Sequence, residues 1–243
     1  MQYTFGAGQL YGRKSATNPT PVHFGGLQGV SVDIAYTTKE LMSGYQFPVA
    51  VGRGTAKITG KAQFAQLNAQ GFNDLFFGES SLTAGRTIAV VDEAHTISGN
   101  AATITHNGVI TDLGVVIAAN GQILARVANT PVGGGNYSCN ETTGVYTFNN
   151  ALEASNVKIG YTYTDSGNGQ TITLTNLPIG SAPQFMAVLY GSYNSKVLTL
   201  TLNACMSSQL TLATKLEDFM IPDFSFSAFA DASNTLGTLS LDE

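Results

Sequence analysis

LQGVSVDIAYTTKELMSGYQFPVAVGRGTAKITGKAQFAQLNAQGFNDLFF, residues 27–77, decides how the rest of the chain is read. Val30, Val32, Ile34 and Tyr36 alternate with Ser31, Asp33 and Ala35, the period of two that gives a strand one dry and one wetter face. From Thr55 to Ala65 the alternation is cleaner. Ala56, Ile58, Gly60, Ala62 and Phe64 share one face, and Thr55, Lys57, Thr59, Lys61 and Gln63 share the other. Between the two strands, Thr38 to Gly54 contains Gly44, Pro48, Gly52 and Gly54, which predicts a loop rather than a two-residue turn. Asn68 is placed to cap a short helix whose Phe72, Leu75 and Phe76 fall on one side, and Gly78 to end it.

Outward from this stretch, the wording of the chain resembles the tail tube (major tail) proteins of long-tailed bacteriophages. The matching words are His23-Phe24-Gly25-Gly26-Leu27-Gln28-Gly29-Val30-Ser31-Val32-Asp33, then Glu40-Leu41-Met42-Ser43-Gly44-Tyr45-Gln46-Phe47-Pro48-Val49-Ala50. Thr55 to Ala65 and Asp74-Leu75-Phe76-Phe77-Gly78 follow in the same order. A second block, Lys215-Leu216-Glu217-Asp218-Phe219-Met220-Ile221-Pro222-Asp223-Phe224-Ser225-Phe226-Ser227-Ala228-Phe229-Ala230-Asp231, is similar to the family's C-terminal part. The resemblance implies an all-β fold with one short helix, a tail-tube β-sandwich whose extended hairpins form a ring-shaped β-barrel on oligomerisation. It implies a structural subunit assembled into stacked hexameric rings, the conduit through which a genome is delivered. The partners would be the chain itself, other tail proteins, and double-stranded DNA that passes without tight binding. The location would be the virion tail, made and assembled in the host cytoplasm.

The domain reading follows the density of these words. Residues 1–22, with Gly6, Gly8, Gly12, Pro19 and Pro21, read as an N-terminal arm that reaches a neighbouring subunit or as a frayed terminus. Residues 23–82 and 166–243 carry the β-sandwich core. Residues 83–165 read as an inserted or elaborated β-region. Its strands are expected at 87–91, 121–127, 144–148 and 157–164, with turns at Gly99-Asn100, Asn107-Gly108, Asn120-Gly121 and Gly133-Gly134-Gly135. In the last of these strands Val157, Ile159, Tyr161 and Tyr163 share a face. Alternation at 170–175 predicts a further strand, and 184–190 with 196–204 a second hairpin. Phe224, Phe226 and Ala228 read as core packing in the final strand.

Composition narrows the function. Only 11% of the 243 residues are charged and 43% are apolar, so much of the surface is neutral. Such a surface suits a subunit buried against its own copies and also a secreted β-domain; the resemblance is what favours the first. A net charge of −5 argues against gripping nucleic acid, which needs a dense face of Lys and Arg. The charges are uneven: Arg13, Lys14, Lys39, Arg53, Lys57 and Lys61 lie toward the N-terminus, and Glu217, Asp218, Asp223, Asp231, Asp242 and Glu243 toward the C-terminus. That asymmetry allows complementary contacts between subunits. No apolar run is long enough to span a bilayer, and no secretory leader is read at the start, so no membrane insertion is expected. Cys139 and Cys205 have no paired spacing and read as free thiols.

No catalytic, cofactor-binding or metal site is expected. His23, His95 and His106 have no metal-ligand spacing, and His95 beside Asp92 and Glu93 reads as a surface turn. There is neither a phosphate-binding loop nor a G-x-S-x-G nucleophile elbow. The functional residues expected are instead those of a subunit interface: Leu41, Met42, Tyr45, Phe47 and Val49, too apolar for a loop left in water. The competing reading folds that loop back on its own domain. At the level of function the alternative is a β-sandwich binding module of a virion, a receptor-binding or decoration domain.

Overall fold

The computed structural model describes residues 6, 8–15, 19–66, 68–79, 82–106, 108, 110–214 and 216–242. Among these residues are fifteen strands, one short α-helix, one π turn and one 3-10 turn, and their strand pairing is antiparallel apart from one short parallel pair. The chain is therefore all-β with one short helix. Among the described residues no helix is long and apolar enough to cross a membrane. The chain forms two compact units, one of Met1–Leu82 with Ile172–Glu243 and one of Thr83–Thr171.

In the first unit, β1 (Gln9–Lys14), β2 (Val22–His23), β3 (Leu27–Leu41), β4 (Ala50–Phe64), β12 (Gln184–Tyr193), β13 (Lys196–Thr211), β14 (Asp223–Phe229) and β15 (Gly237–Leu241) form one sheet. Its order is β2-β1-β12-β13-β14-β4-β3, with β15 on β13. Four of the five residues expected to share a face of β4 are inside: Ile58, Gly60, Ala62 and Phe64 are buried, Ala56 is exposed where the strand leaves the core, and Lys57, Lys61 and Gln63 on the other face are exposed. The buried side chains join Leu10, Phe24, Leu75, Phe185, Phe224 and Phe226 in one core. Phe24, just after β2, stacks edge-on against Phe64 at 5.2 Å, so the two ends of the strand order approach each other. The sheet curls without closing, and no rung joins β2 to β3 among the described residues.

The helix α1 (Ala69–Phe72) begins where expected, with Gly71 N donating to Asn68 Oδ1 at 3.2 Å. It then widens into a π turn, Asn73–Phe77, in which Gly78 N reaches back to Asn73 O at 2.6 Å. Gly78 ends it at φ 69°, a left-handed conformation that suits glycine. The extra residue per turn puts Leu75 at the centre of the core, 1% exposed, and leaves Phe72 and Phe76 half-buried. Asn73 is buried by the same turn and holds both backbone groups of Glu79, accepting from N at 2.9 Å and donating to O at 3.0 Å.

Three expectations for this unit are corrected. The segment 1–22 is not simply an arm. Its residues 9–14 are β1, in register with β12 from Gln9↔Tyr190 to Lys14↔Phe185, because Leu10 supplies a core side chain and Gly12 leaves room for Leu75. Residues 1–5, 7 and 16–18 of that segment lie outside the described residues. The loop expected over Thr38 to Gly54 is only Met42–Val49, since β3 and β4 each continue for 15 residues. Residues 172–175, despite their alternation, pair with no strand among the described residues, and Leu174 is exposed.

The second unit is a small sandwich. β5 (Thr83–Thr96), β11 (Asn156–Thr171) and β7 (Ile110–Ile117) form one sheet in the order β5-β11-β7. β6 (Ala101–Thr103), β10 (Val145–Phe148), β9 (Asn136–Asn140) and β8 (Ala125–Arg126) form the other. Val157, Ile159 and Tyr161 of β11 are fully buried against Tyr137, Tyr146 and Phe148 of the facing sheet. The strand expected at 121–127 is reduced to Ala125–Arg126, and the sequence reading lacked β6, β7 and β9. Asn107, half of an expected turn, lies outside the described residues.

Candidate assembly interface

β3 and β4 stay paired well beyond the core. The rung Ile34↔Ile58 is the last that the core reaches: Ile58 is 6% exposed and Ile34 is 54% exposed. β14 also stops there, at the pair Ala228↔Ile58. From that rung outward β3 and β4 form a two-stranded ribbon through Tyr36↔Ala56 and Thr38↔Arg53 to Leu41↔Ala50. Neither edge of the ribbon has a strand beside it among the described residues. Unpaired edges of this length are the usual template for pairing with another chain.

The ribbon holds its shape by local contacts. A bulge sets Gly54 and Thr55 against Thr37, whose hydroxyl donates to Thr55 O at 3.1 Å and lies 3.1 Å from Thr55 Oγ1. At Gly54 a side chain would start 2.6 Å from Thr37 Oγ1, so the glycine that signalled a loop serves the close approach of a bulge. Arg53 lies over the Tyr36 ring at 4.4 Å, a cation–π contact that also shields the ring face. Val49 N donates to Leu41 O at 2.8 Å and closes the tip.

All five residues expected at an interface sit on this tip, and all are exposed: Leu41, Met42, Tyr45, Phe47 and Val49. Tyr45 is 77% and Phe47 78% exposed, so the tip does not fold back on its own unit. Ile34, Tyr36 and Val51 extend the apolar surface along the face that continues the core row. Sequence reasoning missed these three because it assigned Val51 to a loop and counted Ile34 and Tyr36 as core. The other face carries Lys39, Lys57 and Lys61 with a single carboxylate, Asp33, and none of these lysines forms an ion pair among the described residues.

A second exposed apolar segment joins β13 to β14. In residues 212–222, Leu212, Leu216 and Phe219 are exposed, the last two at 99% and 87%. Glu217 and Asp218 lie between them in sequence.

The second unit concentrates its titratable groups in two hydrogen-bonded clusters. His95 is in strand β5 rather than a turn, with its Nε2 2.8 Å from Glu93 Oε1. Glu93 also accepts from Thr105 N at 2.9 Å, Thr105 Oγ1 at 2.5 Å and Tyr161 Oη at 2.5 Å. Burial alone would raise its pKa, but these donors outweigh it and hold Glu93 at about 2. Burial and the hydrogen bond to Glu93 push Tyr161 up to about 12. Asp112 accepts from Tyr137 at 2.7 Å, Tyr146 at 3.1 Å and Gly114 N at 3.0 Å, and lies 3.6 Å from Arg126. These donors tie strand to strand, Tyr161 to β5 and Tyr137 and Tyr146 to β7, and fasten the Thr105 loop to Glu93. No group of three His, Cys, Asp or Glu is placed to hold a metal among the described residues. Cys139 and Cys205 are free thiols.

Concave surface is scarce in kind. The apolar crevice among Val22, Phe24, Phe64, Phe72 and Leu75 offers about 20 Å³, the space of one water. An open trough of about 740 Å³ lies over β8, β9 and β10, lined by Arg126, Ser138, Asn140, Glu141 and Thr147 among others. Set against known proteins, the chain matches no protein-family model, and no curated protein is significantly similar to it.

Proposed function

We propose that this chain is the structural subunit of a bacteriophage tail tube, assembling into stacked hexameric rings that form the conduit for genome delivery. The observation that carries the reading is the projecting ribbon, apolar at its tip and unpaired on both edges among the described residues. An isolated two-stranded ribbon of this kind is marginal in water, so its persistence calls for a partner. Copies of the same chain are the simplest partner, because the curled sheet has open edges at β2 and β3 that a ring of neighbours would cover. In such a ring the hairpins join into one barrel, and closure removes the edges altogether.

The sequence resemblance supplies the tube, the sixfold ring and the virion tail. The low charge supplies the sliding path: an acidic, mostly neutral subunit contacts passing duplex DNA without gripping it. The chemistry needed is shape and adhesion rather than catalysis. Electron microscopy of the concentrated full chain tests the reading, with hollow tubes or rings of uniform bore as the expected result and uniform monomers as the contrary one.

The second reading is a binding module of a virion, and the open polar trough over β8–β10 is what favours it. Glycan-array binding by a chain that stays monomeric would select that reading over the first.

A further inference from the structure

In the second unit, Tyr137 and Tyr146 turn inward to the core, so their strand neighbours turn outward. On that outer face Ser138 of β9 lies opposite Thr147 of β10, and Asn140 lies opposite Val145. These four side chains line the open trough of about 740 Å³ together with Arg126 and Glu141. The volume falls within the range of about 300–1,000 Å³ usual for small-molecule sites.

The trough offers hydrogen-bonding groups that the fold does not use. The hydroxyls of Ser138 and Thr147 make no hydrogen bond among the described residues. Asn140 Oδ1 is occupied, accepting from Thr142 N at 3.0 Å and Thr143 N at 3.2 Å, which leaves the Nδ2 of the same amide as a donor. Arg126 Nη1 donates to Glu141 Oε1 at 2.9 Å, while Arg126 Nη2 and Glu141 Oε2 are unengaged among the described residues. Asp112 N also donates to Glu141 Oε1, at 3.4 Å, so the ion pair is tied to β7. A free donor and a free acceptor on one fixed ion pair fit two neighbouring hydroxyls of a ligand, each of which can accept or donate.

Charge narrows the ligand further. Arg126 faces two carboxylates, Glu141 and, at 3.6 Å, Asp112, so the trough has no spare positive charge for an acidic ligand. We infer that the trough binds a neutral glycan, with Arg126 Nη2 and Asn140 Nδ2 donating to its hydroxyls, Glu141 Oε2 accepting from one, and the Ser138 and Thr147 hydroxyls completing the set. Val145 supplies the apolar bed for the C–H face of a sugar ring. This ligand class rests on the second reading, in which the trough is a binding surface, and assembly through the first unit is untouched by it. No aromatic side chain is among those that line the trough, so one site is weak and many copies together hold a glycan-coated surface.

The test displays the full chain at high density on fluorescent beads, which strengthens weak binding by about 10²–10⁴-fold, and reads the beads on an array of neutral and acidic glycans. Binding to neutral glycans alone is expected. Thr147→Tyr, which fills the trough from an outward-facing position, is expected to abolish the signal while the thermal melt stays within a few degrees of wild type. Ser138→Ala combined with Thr147→Ala removes two hydroxyls and should weaken the Kd for the best neutral glycan about tenfold; this variant decides the matter where Thr147→Tyr unfolds. Acidic glycans bound in preference, with the signal lost in Thr147→Tyr, overturn the ligand class and leave the trough a binding surface. Glycan binding that a folded Thr147→Tyr chain retains, or an unchanged Kd in the double variant, overturns the assignment to the trough. Binding to no glycan overturns this inference and the second reading together, and electron microscopy of the same preparation decides the tube reading independently.

Discussion

The ring of Phe226 lies where the side chain of Gly60 would be. The two residues are direct partners across β14 and β4, and any Cβ on Gly60 would run into the Phe226 ring. A central strand tolerates this glycine because the aromatic neighbour supplies the missing packing. Gly60→Ala is therefore expected to destabilise the first unit by about 1–3 kcal/mol through overpacking, not to stabilise a strand. Chemical denaturation of unassembled subunits checks it; an unchanged or higher midpoint would show that the ring does not sit on Gly60.

Leu75 anchors the helical segment from the π turn, with its methyl groups against Gly12 of β1. Leu75→Ala is expected to cost about 2–5 kcal/mol, the usual range for a buried leucine. Phe76→Ala should cost less than Leu75→Ala, because Phe76 is only half-buried. Equal losses, read from the same denaturation curves, would mean that an ordinary α-helix with a Phe72, Leu75, Phe76 stripe is the better description.

Acid should loosen the second unit through Glu93. Its folded pKa of about 2 lies below the ordinary value of 4.5, so its contribution is complete above about pH 4.5 and is lost as pH falls through 2. Thermal melts from pH 6 down to pH 2.5 should fall more steeply for wild type than for Glu93→Gln. Parallel slopes for the two proteins would show that the Thr105, Tyr161 and His95 contacts are not made to a carboxylate in solution.

The strand faces were legible because alternation from Ile58 to Phe64 reports burial directly, and the two ends of the helical segment were legible because Asn68 and Gly78 have fixed conformational roles. The length of the ribbon was not. Gly52 and Gly54 punctuate a sequence, yet both are extended in β4, where a bulge needs a small residue and no neighbouring strand demands side chains. The partners of β1 were equally hidden, because pairing Gln9 with Tyr190 is a long-range event that no local pattern encodes. At the candidate interface the tip residues could be picked out by polarity alone. Ile34, Tyr36 and Val51 could not, since nothing local says where the core ends.

Replacing Tyr45 and Phe47 by Ser should leave a folded subunit that does not polymerise. Both side chains are over three-quarters exposed, so their loss removes little packing within the chain. Their circular dichroism melt is expected to stay within a few degrees of wild type, about the effect of a surface change. A double variant that still forms assemblies of normal length, or one that fails to fold, contradicts the role assigned to the tip.

The central claim is that copies of this chain assemble into a tube through the projecting β3–β4 ribbon. Cryo-electron microscopy of the assembled full-length protein measures this directly. The account predicts a hollow cylinder of stacked sixfold rings in which the ribbon of each subunit is buried against a neighbouring copy. Discrete closed oligomers with no axial repeat, or particles that remain single subunits at high concentration, would contradict it.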